Sequence, residues 1–268
     1  MTKHFCVDSD GCTINTMVFK HEVFMAPNAI RIFNLSQYVD DIDGFLADWS
    51  QINLYSPLRG ANRFVALTTM LKRAGYPDME NLLAWVDQSG QLSMDSLAQA
   101  IETYQSDDLK KAYQWSMETN QGIADYHADD YKAFVGARAG LKALSQVGQV
   151  YAVSTSSQKT IQAEWVENQL DEFTDAYYCQ ETGSKPATVQ MLLDQGNDVS
   201  DILLLGDSPG DLRAAESKGI AFYPILVGRE TESWAHFLDY ALEAFLNGSY
   251  DQARYTRAFK DNLNYEED

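Results

Sequence analysis

Positive charge is what this sequence has least of. Its 20 lysines and arginines face 39 aspartates and glutamates, a formal net charge of −19. A surface that acidic repels phosphodiester backbones and anionic membranes, so neither nucleic acid nor a membrane is expected as a partner. Any place that binds a phosphate must gather its cations locally. Cysteine is also sparse: Cys6, Cys12 and Cys179 are an odd number at no metal-ligand spacing. Cys6 and Cys179 fall in apolar, strand-like runs and read as buried, inert thiols. Nowhere are there about 18 consecutive apolar residues, and the N-terminus carries no apolar run of signal-peptide length. Cytoplasmic location is the expectation. Internal repeats and low-complexity tracts are missing too.

What is present is material for a packed interior, with 45% hydrophobic and 12% aromatic residues in a chain of 268. That length suits one large domain, or a core with a smaller second one. From Asn15 to about Asp130 the pattern reads as helical. Phe24, Ile30, Ile32, Phe33 and Leu35 give one periodic segment, and Phe64, Leu67, Met70 and Leu71 a second that stops near Gly75-Tyr76-Pro77. Leu82 to Val86, Ser93 to Tyr104 and Leu109 to Met117 follow. After Asp130 helices alternate with apolar strands: Val150–Val153, Ala176–Cys179, Ile202–Leu205 and Ala221–Val227, separated by helices from Tyr131, Gln158, Pro186 and Asp211. Strands spaced this way imply a doubly wound parallel sheet. Trp234 to Leu246 reads as one more amphipathic helix, and the polar sequence after Ser249 is expected to fray. The expected domains are 1–15 with 131–268 as an α/β core, and 16–130 as an inserted helical domain.

The chemistry starts at Phe5-Cys6-Val7, a short apolar run that ends at Asp8-Ser9-Asp10-Gly11. In an extended chain Asp8 and Asp10 project to the same side, and carboxylates that close either take up a proton or share a cation. A hard divalent ion such as Mg2+ answers that need with oxygen ligands. Three further stations follow strand ends or lie close to them: Ser154-Thr155-Ser156, Lys185-Pro186, and Gly206-Asp207-Ser208 with Asp211. In a parallel sheet all such ends lie along one edge, where ligands bind. Their convergence argues for a metal- and phosphate-binding edge.

In that order Asp8-x-Asp10-Gly, Thr155, Lys185-Pro186 and Gly206-Asp207-Ser208-x-x-Asp211 resemble the four motifs of the haloacid dehalogenase-like hydrolase superfamily. The resemblance runs from about Phe5 to Val227. It implies a Rossmann-like core with an α-helical cap inserted after the first motif, and a Mg2+-dependent phosphatase acting on a small phosphorylated metabolite. Asp8 is the expected nucleophile, forming an aspartyl-phosphate. Asp10 is the expected acid and base, with its backbone carbonyl on the metal. Thr155 and the Ser156 amide are expected to bind phosphoryl oxygens, with Ser154 an alternative to Thr155. Lys185 balances the charge of Asp8 and phosphate, Asp207 is a direct metal ligand, and Asp211 holds a metal-bound water or orients Lys185. Cys12 stands where Thr or Val is commoner, a departure that touches packing more than chemistry.

Alternatives remain open within the resemblance. A phosphomutase keeps both acids, whereas a phosphonate hydrolase lacks the second and needs a cap lysine, for which Lys20 or Lys72 could serve. A non-catalytic binding protein on the same fold is a further alternative. Substrate choice is assigned to the helical insertion closing as a lid. Arg59, Asn62 and Arg63 form its densest basic stretch and are the expected substrate-binding residues, with His21 and Glu22 as weaker candidates. A monomer or homodimer is expected.

Overall fold

The run Phe5-Cys6-Val7 lies inside strand β1 (Lys3–Asp8) of a computed structural model that describes residues 2–126 and 132–265. The remaining strands are β2 (Gly148–Val153), β3 (Ala176–Tyr178), β4 (Ile202–Gly206) and β5 (Ala221–Pro224). All pair in parallel, in the order β3-β2-β1-β4-β5, so β1 is central. Lys3 is in register with Gly148 and His4 with Ile202.

Alternation along each strand divides the core into two layers. Phe5, Val7, Val150, Ala152, Leu203 and Leu205 pack with Leu141, Leu144, Ile161 and Trp165. Cys6, Tyr151, Val153, Leu204 and Phe222 pack with Val189, Leu192, Leu212 and Phe259. Apolar helices therefore cover both faces, and strands buried on both faces are uninterrupted apolar runs for that reason. The architecture is the doubly wound α/β sheet that the alternation of strands and helices implies.

The chain divides into two compact units, Met1–Thr16 with Asp129–Asp268, and Met17–Ala128. The second has a core of its own, built on Trp49, Phe64, Leu67, Met70, Leu71 and Trp115. Its regular elements are all helical among the described residues.

Several elements differ from the sequence pattern. The helix Ile42–Leu54, not among the expected segments, carries Ile42, Phe45, Leu46 and Trp49 at helical spacing, and Asp41 caps it by accepting from the Gly44 amide at 2.9 Å. The polar C-terminal segment does not fray. Gln252–Leu263 is a helix whose Tyr255, Phe259 and Leu263, four residues apart, bury one face. The last strand ends at Pro224 instead of Val227. The helix from Gln158 stops at Glu167, and Gln169 turns left-handed at φ 54°. Tyr131, the expected start of another helix, lies outside the described residues; the described helix there is Ala137–Ser145.

Candidate active site

Three strand ends build the site from below. Asp8 is the last residue of β1, Asp207 the first beyond β4 and Ser154 the first beyond β2. Asp211 enters from the helix Pro209–Lys218, one turn after Asp207. All three aspartates are buried, at 6% (Asp8), 1% (Asp207) and 0% (Asp211) exposure, and one oxygen from each lies within 4.8 Å of the others. A set made wholly of carboxylate oxygens suits a hard cation such as Mg2+.

Lys185 meets this group from a helix N-terminus. It is the first residue of Lys185–Asp194, where Pro186 tolerates the absence of an N–H and Ser184 caps by accepting from the Ala187 amide at 3.4 Å. A cation there opposes the helix dipole. Two carboxylates overcome that: the Lys185 ammonium lies 2.8 Å from Asp8 Oδ1 and 2.5 Å from Asp211 Oδ1. Burial disfavours its charge, but Asp211 and Asp8 outweigh burial and hold the ammonium protonated above its ordinary range. Asp8 moves up as well. Burial is the largest cause, partly opposed by Lys185 and reinforced by Asp211 and Asp207. Three carboxylates against one ammonium leave a buried negative excess, which a divalent cation would relieve.

Asp211 is more engaged than a simple ligand. Its Oδ2 accepts from the Ser208 amide at 3.1 Å and the Ser208 hydroxyl at 2.7 Å, closing a capping box, while Oδ1 takes Lys185. Of its two expected roles, orienting Lys185 is the one for which hydrogen bonds are in place. Gly206 makes the packing possible: a Cβ there would lie 2.4 Å from Asp211 Cγ.

Asp10 stands just past the strand, half-buried. Thr16 donates its hydroxyl to one carboxylate oxygen and Ser156 donates to the other at 3.1 Å. The first and second stations are thereby joined through side chains. Thr155 is exposed at the exit of β2, whereas Ser154 is buried and its hydroxyl accepts from the Ser156 amide at 3.1 Å. The amide expected to bind phosphoryl oxygens therefore already has an acceptor, and the Ser156 hydroxyl already serves Asp10.

Within the helical unit the arginines are held by their own surroundings. Arg59 is 3% exposed and donates to the Leu54 carbonyl at 3.0 Å. Arg63 donates to Asn120 Oδ1 at 2.6 Å and Ser116 Oγ at 3.3 Å. Asn62 is a helix cap, accepting from the Phe64 amide and donating to the Leu92 carbonyl, each at 3.0 Å. His21 accepts from the Trp49 indole at Nδ1, 3.1 Å away, and Glu22 accepts from Ser50 at 2.8 Å. Burial first, then Arg59, Arg63 and Lys20, push His21 down to about 3, so it is neutral with its proton on Nε2. Lys20, itself buried, belongs to this cationic group.

Thr16 serves the site without having drawn notice in the sequence, whereas Gly206 and Ser208 belong to the fourth station already read there. Ser208 stands at capping-box spacing from Asp211, and that box is formed. Thr16 has no comparable signal, since its bond to Asp10 depends on the fold of the intervening loop.

No curated protein matches the sequence significantly. Among solved structures the fold resembles a predicted phosphoglycolate phosphatase from Haemophilus somnus 129pt, at 15% identity and TM-score 0.54, over 89% of this chain and 97% of that one. It also resembles a haloacid dehalogenase-like family hydrolase from Xanthomonas campestris, at 12% identity and TM-score 0.52, over 96% of this chain and 94% of that one. At such identities the likeness is one of fold. The model of the haloacid dehalogenase-like hydrolases matches residues 39–225, more than half of the chain, though it begins beyond the first aspartate pair. With this match, the fold and the four stations in agreement, the chain belongs to the haloacid dehalogenase-like hydrolase family and is a hydrolase.

Proposed function

We propose that the protein is a Mg2+-dependent phosphatase that hydrolyses a small phosphorylated metabolite through an aspartyl-phosphate on Asp8. The observation carrying this reading is Lys185 bonded at once to Asp8 and Asp211, beside Asp207, in a buried cluster. A solely structural ion pair would not need the additional buried carboxylates, each of which is costly to desolvate.

Asp8 would supply the nucleophile. Its Oδ1 accepts from the Ser9 amide and faces Lys185, both at 2.8 Å, which favours Oδ2 as the attacking oxygen. The bond from Oδ2 to phosphorus forms as the ester P–O bond breaks. Asp10, steadied by Thr16 and Ser156, gives its proton to the leaving oxygen. It then takes a proton from the water that cleaves the acyl-phosphate. Mg2+ held by Asp8, Asp207 and the Asp10 carbonyl, with Asp211 behind, would neutralise phosphoryl charge. Thr155, exposed beyond β2, and the Ser156 amide, once substrate replaces its Ser154 acceptor, would contact phosphoryl oxygens while the Ser156 hydroxyl stays on Asp10. The cations Arg59, Arg63 and Lys20 of the helical unit would recognise the rest of the substrate, with Asn62 serving to cap the helix that carries Arg63. Residues 16–130 would act as the specificity cap.

A screen of phosphorylated metabolites for phosphate release, with Mg2+ and with excess chelator, tests the reading. Release should require the metal, and Asp8→Asn should abolish it, by on the order of 10³-fold or more, while the fold persists. Full activity in chelator, or in Asp8→Asn, would sink the proposal.

A further inference from the structure

Of the five tryptophans, Trp49, Trp85 and Trp115 belong to the helical unit, and Trp165 and Trp234 to the sheet unit. The latter two are wholly buried, and both direct their indole N–H at the loop that follows β1. Trp165 donates to Ser9 Oγ at 2.8 Å, and Trp234 to the Cys12 carbonyl at 3.0 Å. A buried indole usually finds a partner, but an acceptor anywhere in the core would satisfy it. Here both acceptors lie within five residues of Asp8.

The loop transmits such contacts to the carboxylate. Ser9 uses its amide on Asp8 Oδ1 at 2.8 Å, and its carbonyl accepts from the amides of Cys12, Thr13 and Ile14 at 3.0–3.3 Å. Thr13 returns its hydroxyl to the Asp8 carbonyl at 3.2 Å. Gly11, at φ 81°, allows the tight reversal. Trp234 has a seat shaped for it. A Cβ at Gly140 would lie 2.3 Å from its ring and one at Gly136 2.9 Å from its Cβ, so only glycine leaves room at both.

We propose that Trp165 and Trp234 are positioning residues, holding the Asp8 carboxylate in its attacking orientation through Ser9 and the loop to Ile14. The proposal rests on Asp8 as nucleophile. One neutral hydrogen bond contributes only a small part of a fold's stability. A displaced nucleophile costs far more in rate, since roughly 1 Å of misplacement can lower turnover about 10²-fold.

The test replaces the indole of Trp165, and separately of Trp234, with benzothiophene in the full-length chain, which keeps the ring shape and removes the N–H. Ser9→Ala removes the acceptor of the first bond and keeps the ring. Three quantities are read: p-nitrophenyl phosphate hydrolysis in Mg2+, the urea midpoint, and hydrogen exchange of the amides of residues 9–14. The expected result is a roughly 5- to 50-fold fall in kcat with little change in KM. Loop exchange should quicken while the urea midpoint stays near that of the wild type. Unchanged kcat in both the Trp165 isostere and Ser9→Ala would overturn the proposal. So would a loss of activity that only follows a lowered urea midpoint with loop exchange unaltered. Exchange needs no turnover, so it judges the anchoring apart from the chemistry. Quickened exchange in a protein whose Asp8→Asn variant remains active would refute the nucleophile assignment, and the catalytic role of the indoles with it.

Discussion

Asp8 in the sheet unit and His21 in the helical unit are both titratable and nearly inaccessible to water, at 6% and 7% exposure. Burial pushes each toward its uncharged form, Asp8 upward and His21 down to about 3. Their neighbours differ. Around Asp8 the like charges of Asp207 and Asp211 are opposed by Lys185 at 2.8 Å. Around His21 every named neighbour is a cation, and a tryptophan N–H fills the nitrogen that could otherwise take a second proton. One region keeps charge inside the protein with a counter-ion and sites for another. The other sheds it, leaving a neutral Nε2–H donor among cations. A catalytic carboxylate must be ionised to attack, whereas a donor among arginines can serve an anion without titrating.

The comparison breaks most readily at the carboxylate end. Asp10→Asn removes the proposed acid and base while leaving an amide oxygen that can accept from one of the Thr16 and Ser156 hydroxyls and an NH2 that can donate to the other. Turnover should fall roughly 10²–10⁴-fold with little loss of stability, measured by phosphate release and urea unfolding. A mild effect would redirect attention to carbon chemistry.

Lys185→Met tests whether the counter-ion is what makes the cluster tolerable. Removing one partner of a buried pair costs about 3–5 kcal/mol, and here it leaves three carboxylates together. Urea titration at pH 7 without metal should show that loss. Lowering the pH or adding Mg2+ should recover part of it. Equal stability with and without the ammonium would mean that water already screens the cluster.

Gly206→Ala should cost about 1–3 kcal/mol through overpacking, because the new methyl would meet Asp211 at 2.4–2.6 Å. Its kcat should fall as well, as Lys185 loses its alignment. A variant with native stability and rate would show that the helix from Pro209 can shift freely.

His21 sharpens the other half. Its folded value near 3 lies below the ordinary 6.5, so between those pH values the unfolded chain binds one more proton. Stability contributed by the neutral ring is complete above pH 6.5 and declines on acidification, by about 1.4 kcal/mol per pH unit. The wild type minus His21→Gln difference in urea-derived stability should show that slope between pH 6 and 4. A flat difference would mean that the ring is hydrated and ordinary.

The sequence makes the sheet legible because apolar runs such as Ile202–Leu205 have few alternatives to a doubly covered strand. The convergence of Asp8 with Asp207 and Asp211 was readable for a topological reason, since parallel strand ends share an edge, whereas Lys185, on a helix N-terminus, was read through the resemblance. What periodicity could not reach was whatever depends on long-range packing. The helix Gln252–Leu263 hides its stripe in three aromatic and leucine positions among charged residues. Thr16 reaches Asp10 through a loop closed locally on the Ser9 carbonyl and pinned by Asn15 and Thr13 to Lys132 and Phe134, far along the chain. Asn62, chosen for its neighbours' charge, turned out to be a cap, the commoner use of asparagine before a helix.

The central position of β1 has a consequence for biosynthesis. Its two partners are translated about 145 and 198 residues later, as the register of Lys3 with Gly148 and His4 with Ile202 requires. On the ribosome, which adds roughly 5–20 residues per second, Phe5 to Val7 must wait about 7–30 s for the nearer neighbour and about 10–40 s for the farther. The intervening helical unit, rich in local contacts, can fold during that interval. The strand that carries Asp8 is thus synthesised before both its partners and ordered late, leaving its apolar residues uncovered meanwhile.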